Sequence, residues 1–111
     1  MLRLDDITKN VFIIDALTLY TPNAFTPDGD NINDEFMPAI GGKELISRYN
    51  FWITDRWGVV LFRTSDVEEP WLGNINNGDY YVSPDVYIWN VEVELKNGDE
   101  HEYNGHVTIV R

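Results

Sequence analysis

The chain has 111 residues, enough to bury one core and too few for two ordinary domains. Eight basic against nineteen acidic side chains give a formal charge of −11, which repels phosphate backbones and anionic lipid surfaces and argues against nucleic acid as a partner. The absence of cysteine removes thiolate catalysis, cysteine-ligated zinc and disulfides together.

Residues 1–10 carry mixed charge without a clear period and order is expected to start near Val11, so residues 1–15 read as a linker or the tail of an upstream region, with a domain over 16–111. Asp5 and Asp6 stand where a secretory n-region would be basic, and apolar runs such as Val11-Phe12-Ile13-Ile14 are too short to cross a bilayer. No membrane insertion is expected, and any export signal of the N-terminal kind is expected further upstream. The pattern Ile14, Ala16 with Leu17, then Leu19 predicts a first strand over residues 14–20.

That strand runs into Pro22-Asn23-Ala24-Phe25-Thr26-Pro27-Asp28-Gly29-Asp30-Asn31-Ile32-Asn33-Asp34-Glu35-Phe36. Two prolines, which fix φ and withhold ladder donors, and the turn formers Asp-Gly and Asn-Asp exclude a helix or a central strand here. Asp28, Asp30, the Ile32 carbonyl and Asp34 fall at the first, third, fifth and seventh positions of an EF-hand-like loop, a spacing of hard oxygens that suits Ca²⁺. The sixth position is Asn33 rather than glycine and the twelfth is Ala39 rather than glutamate, so the alternative is an Asx-turn network that stiffens the loop. Calcium is the one candidate ion, and no other cofactor is expected.

Lys43 to Arg48 can form one helical turn, the sole helical candidate. Residues 49–54 and 58–64 then read as a hairpin about Asp55-Arg56-Trp57-Gly58. A loop of two or four residues places Phe51, Ile53, Val60 and Phe62 on one core face. Residues 65–84, rich in Gly, Asn, Asp, Glu and Pro, read as a long connection with a short strand near Tyr80.

Residues 86–96 and 100–110 form the last hairpin, with Tyr87, Trp89, Val91, Val93 and Leu95 on one face and Tyr103, Val107 and Ile109 on the other strand's matching face. A two-residue Asn97-Gly98 loop would set Leu95 against Glu100 and Val93 against Glu102. Odd-with-odd pairing, Val93 with Tyr103 and Trp89 with Val107, predicts a three-residue loop or a bulge instead. Glu92, Glu94, Glu100 and Glu102 then share the solvated face, with Lys96 as their partner. The pattern of short strands and turn-rich connections predicts an all-β, two-sheet antiparallel immunoglobulin-like β-sandwich.

Catalytic readings find no support. His101 and His106, five apart on one strand, fall on opposite faces, and Ser47, Ser65 and Ser83 lack a nucleophile-elbow context. Trp52, Trp57, Trp71 and Trp89 would form a sugar-stacking platform only if two of them were exposed side by side. Arg56 beside Trp57 is placed to lay a cation over an indole.

Residues 22–36, together with Asp55-Arg56-Trp57-Gly58, Trp71 with Gly73, Pro84 to Tyr87 and the ending Gly105-His106-Val107-Thr108-Ile109-Val110-Arg111, resemble the ordered blocks of gliding-motility-associated C-terminal domains. Asn31 and Asp85 stand where that pattern usually has glycine. The resemblance implies a type B sorting domain of the type IX secretion system of Bacteroidetes. Such a domain is non-catalytic and is read as a folded signal by the secretion machinery. It directs an upstream cargo on the same chain through the periplasm and outer membrane to the cell surface or medium. Asn23, Phe25, Thr26, Pro27, Asp55, Arg56, Trp57, Gly58 and Arg111 are the candidate recognition residues, although Phe25, Phe36, Trp57 and Gly58 also suit a purely structural role. The alternative function is a calcium-dependent or glycan-binding adhesion module of a surface protein.

Overall fold

The computed structural model describes residues 9–14, 17–27, 35–78 and 80–110. Its strands are β1 (Lys9–Ile14), β2 (Leu17–Pro22), β3 (Ala24–Phe25), β4 (Ala39–Gly41), β5 (Ile46–Thr54), β6 (Val60–Thr64), β7 (Val86–Leu95) and β8 (Glu100–Ile109), with 3-10 turns at Lys43–Leu45 and Ile75–Asn77. One sheet has the order β1-β2-β4 and the other β3-β8-β7-β5-β6. No helix among the described residues is long and apolar enough to cross a membrane. The architecture is the expected immunoglobulin-like sandwich, with one exception to antiparallel pairing: β3 runs parallel to β8.

Alternation puts one face of β2, of the second half of β5, of β7 and of the end of β8 inside. Leu17, Leu19 and Thr21 of β2 are buried, and so are Tyr49, Phe51 and Ile53 of β5, Tyr87, Trp89, Val91, Val93 and Leu95 of β7, and Val107 and Ile109 of β8. Side chains of both sheets join one continuous hydrophobic cluster. Between the regular strands, Phe36 and Trp71 exchange two backbone hydrogen bonds, each 2.8 Å, in an isolated antiparallel bridge. The rings of Phe25, Phe36, Phe51 and Phe62 form a chain with centroid separations of 5.8–5.9 Å. Trp71 joins it, 5.5 Å from Phe25 and 5.6 Å from Tyr87. The Tyr87 hydroxyl donates to the Ser83 carbonyl at 2.7 Å, a tyrosine bonded back to upstream backbone of the kind found in such sandwiches.

Several expectations need correction. Residues 9–14, assigned to a linker, form β1 and pair along β2, a pairing that suits the β-branched run at Val11, Ile13 and Ile14. The 49–64 hairpin closes on a three-residue loop, Arg56, Trp57 and Gly58, neither two nor four residues long. Asp55 N–H donates to the Val59 carbonyl and Gly58 N–H to the Asp55 carbonyl. A register shift then places Val60 opposite Thr54 while Phe62 stays opposite Ile53, so Val60 turns outward and Leu61 is buried in its place. The short strand near Tyr80 reduces to a single bridge between Asn74 and Tyr81.

The last hairpin keeps the predicted odd-with-odd parity but slides by one pair. Its loop is Lys96, Asn97 and Gly98, closed by Leu95 N–H to the Asp99 carbonyl at 2.8 Å. Both hairpins end their loop on a left-handed glycine, Gly58 at φ 87° and Gly98 at φ 97°, as a type I turn followed by a G1 bulge requires. The slide pairs Val93 with His101, Val91 with Tyr103 and Trp89 with Gly105 rather than Val107. A Cβ at Gly105 would lie 2.8 Å from Cε2, Cζ2 and Nε1 of the Trp89 indole. Because Trp89 is fully buried, the ring has nowhere to retreat. Gly105→Ala is therefore expected to cost roughly 1–3 kcal/mol of overpacking, read as a lower urea midpoint. The same change is expected to cost less in a Trp89→Leu background, and equal costs in both would refute the contact.

Candidate functional site

Three segments singled out in the sequence meet at one end of the sandwich, and Asp85 joins them. Its carboxylate pairs with the Arg56 guanidinium of the β5–β6 loop. Its carbonyl accepts the Ile109 N–H at 2.9 Å, next to Val110, whose N–H goes to the Phe25 carbonyl at 3.0 Å. Thr108 N–H completes the junction by donating to the Asn23 carbonyl at 2.9 Å. The loop at residues 23–27, the turn at 55–58 and the end of β8 are thus one surface.

Asp55 shapes the turn from within. One carboxylate oxygen, Oδ1, accepts the N–H groups of Trp57 and Val59, both at 2.9 Å, which fixes the loop without using the loop's own side chains. Arg56 is left to reach Asp85 while its guanidinium carbon lies 4.9 Å from the Trp57 ring centre. An exposed ion pair contributes little to stability, so the consequence of this arrangement is geometric: it holds the indole, 77 % exposed, in a defined place. Exposed Val86 and Val110 flank the junction.

The candidate residues divide by burial. Asn23, Arg56, Trp57 and Gly58 are exposed, Thr26, Pro27 and Asp55 are half-buried, and Phe25 is sealed in the aromatic cluster, where no partner can touch its side chain. Arg111 and the candidate calcium ligands Asp28, Asp30, Ile32 and Asp34 lie outside the described residues. Of the four tryptophans, Trp71 and Trp89 are core, Trp52 is half-buried with the Arg63 guanidinium 5.2 Å from its ring centre, and Trp57 alone is exposed. They form no side-by-side platform. His101 and His106 do face opposite ways, half-buried and exposed respectively.

Asp85, Val86 and Val110 were not singled out as site residues from the sequence. The available signal was Asp85 itself, an acidic residue between Pro84 and the first strand residue, but only the fold shows that Arg56 is within its reach.

A second polar surface lies on the outer face of the larger sheet, where Glu92 pairs across from Glu102 and Glu94 from Glu100. The cation that answers them is Arg48, 2.8 Å from Glu100 and 3.9 Å from Glu94, and not Lys96. Hydrogen bonding between the Glu92 and Glu102 carboxyls, followed by their repulsion, holds Glu102 above the usual carboxylate range. The Val86 N–H, and then Arg56 against an opposing effect of burial, hold Asp85 below it.

These shifts act on stability with opposite sign. The raised Glu102 favours the folded state below its unfolded pKa, and that advantage is lost as pH rises through the folded value. The lowered Asp85 stabilises above its unfolded pKa and loses its contribution as pH falls through the folded value. Thermal melts are expected to show Glu102→Gln raising Tm at about pH 7 and Asp85→Asn lowering it, with both differences shrinking as the pH falls and the two carboxyls take up protons. Shifts of the same sign for the two variants would contradict this assignment.

No curated protein matches the chain. The family model described as the CHU_C type IX secretion signal domain matches residues 19–109, from within β2 to the end of β8. The chain belongs to the type IX secretion signal domain family.

Proposed function

We propose that this domain acts as a folded export signal: the type IX machinery reads it in the periplasm, and cargo on the same chain is thereby carried through the outer membrane to the surface or medium. The observation that carries the reading is the extent of the family match, which takes in β3 to β8 whole and most of β2 rather than a short linear segment. A signal of that extent is read as a shape. The surface around Trp57, Arg56 and Asp85 is the part of that shape best suited to recognition, since it couples a held, exposed indole to polar groups on a rigid scaffold.

A reporter with its own signal for crossing the inner membrane, fused ahead of this domain, is expected at the surface or in the medium of a type IX host and in the periplasm of a machinery-deficient strain. Periplasmic retention in both strains would overturn the reading. Within the fusion, Trp57→Ala and Arg56→Ala are expected to reduce export while leaving the melting temperature nearly unchanged. Phe25→Ala is expected to abolish export by unfolding the domain, at a cost of about 3–5 kcal/mol. Full export of both loop variants would move the recognition surface elsewhere.

A further inference from the structure

The backbone of β8 is half unused. In its pairing with β7 the odd-numbered residues carry the hydrogen bonds, as Ile109 N–H to Asp85 and the Leu95–Asp99 closure show. Even-numbered residues point their N–H and C=O groups the other way, and Thr108 N–H and Val110 N–H use that side to bond Asn23 and Phe25. β3 is only two residues long and pairs with Thr108 and Ile109 alone. The outward groups of Glu100, Glu102, Asn104 and His106 meet no backbone partner among the described residues. Their side chains are all exposed, and the register through this stretch has no bulge. An open edge of about 20 Å results.

Edges of this length are usually blunted by charge, and Glu100 and Glu102 do so here for most partners. Charge blunting is selective, however. Behind the edge Glu92 stands opposite Glu102 and Glu94 opposite Glu100, and Arg48 reaches Glu94 and Glu100 while, among the described residues, no cation pairs with Glu92 or Glu102. A strand carrying lysine or arginine at alternate positions would lay its cations beside this row and relieve it, whereas an apolar or acidic strand would not. A second copy of the chain, also at −11, is repelled as a whole.

We propose that the outer edge of β8 from Glu100 to His106 accepts one extended basic segment of a partner protein as an added strand of the larger sheet. Main-chain hydrogen bonds supply the attachment, and the acidic side chains select the partner. This acceptor edge rests on sheet geometry and charge and does not depend on the export role.

The test uses the isotope-labelled domain and a synthetic peptide of about ten residues alternating lysine and valine, with a glutamate-for-lysine peptide as control. Saturable binding of the lysine peptide is expected, weakening with salt, together with slowed amide exchange at Glu100, Glu102, Asn104 and His106 and no change at the odd-numbered positions between them. Asn104→Pro removes an outward N–H that the fold does not use and is expected to weaken binding about tenfold or more. Should that variant fold poorly, Glu102→Lys decides the matter by reducing affinity for the lysine peptide and admitting the glutamate peptide. Equal binding of both peptides, or no protection at the four even-numbered amides under saturation, overturns the proposal. Concentration-dependent protection of those amides without peptide, with a dimer in sedimentation, would assign the edge to a second copy and overturn it as well.

Discussion

The exchange of two hydrogen bonds between Phe36 and Trp71 holds the segments that have least regular structure of their own. It fixes the exit of the proline-bounded loop against the middle of the 65–84 connection, and both side chains are fully buried where it does so. Trp71 avoids the penalty of a buried indole N–H by donating Nε1 to the Asn74 carbonyl at 2.8 Å. Truncating one such ring costs about 3–5 kcal/mol against a typical total stability of 5–15 kcal/mol. On that scale the contacts among Phe25, Phe36, Trp71 and Tyr87 are a condition of the fold, and the Asp85 junction, built from exposed groups, is positioned by them.

What was legible in the sequence follows the physics of periodicity. β7 and β8 are long, alternate cleanly and leave no choice of face, so the buried set Tyr87, Trp89, Val91, Val93 and Val107 could be read directly. Turn closure was less legible: a three-residue loop was expected for the last hairpin but not for the 49–64 hairpin, and in both the loop ends in a left-handed glycine. That form shifts pairing while preserving the face, which is why Trp89 meets Gly105. Val60 was misplaced because a bulge inverts side-chain direction locally without any residue that announces it. β3 was invisible for a different reason: two residues carry no period, and their partner lies at the far end of the chain.

The aromatic motif residues show the same division at the level of the site. As blocks in fixed order they were plain in the sequence, yet their burial separates them into two kinds. Phe25, Phe36 and Trp71 maintain the interior, while Trp57 stands outside it under Arg56. The distinction comes from the surroundings: Asp55 spends its carboxylate on the backbone of the loop, so the Trp57 side chain has no interior to enter. A sequence motif records both kinds of residue with equal weight. Sorting them requires the fold.

The parallel pairing of β3 with β8 has a consequence for the order of assembly. Closing the chain between Ala24 and Thr108 carries an entropic cost of roughly 4 kcal/mol by loop-closure scaling, set against a strand of only two residues. Such a contact cannot form early. It follows the β5–β6 and β7–β8 hairpins, whose partners are close in sequence, and it is the step that seats Phe25 and anchors the entrance of the proline-bounded loop. The surface around Asp85 therefore becomes complete only when the rest of the domain is already in place. On the export reading, a machine that waits for that surface is reading a certificate of finished folding as well as an address.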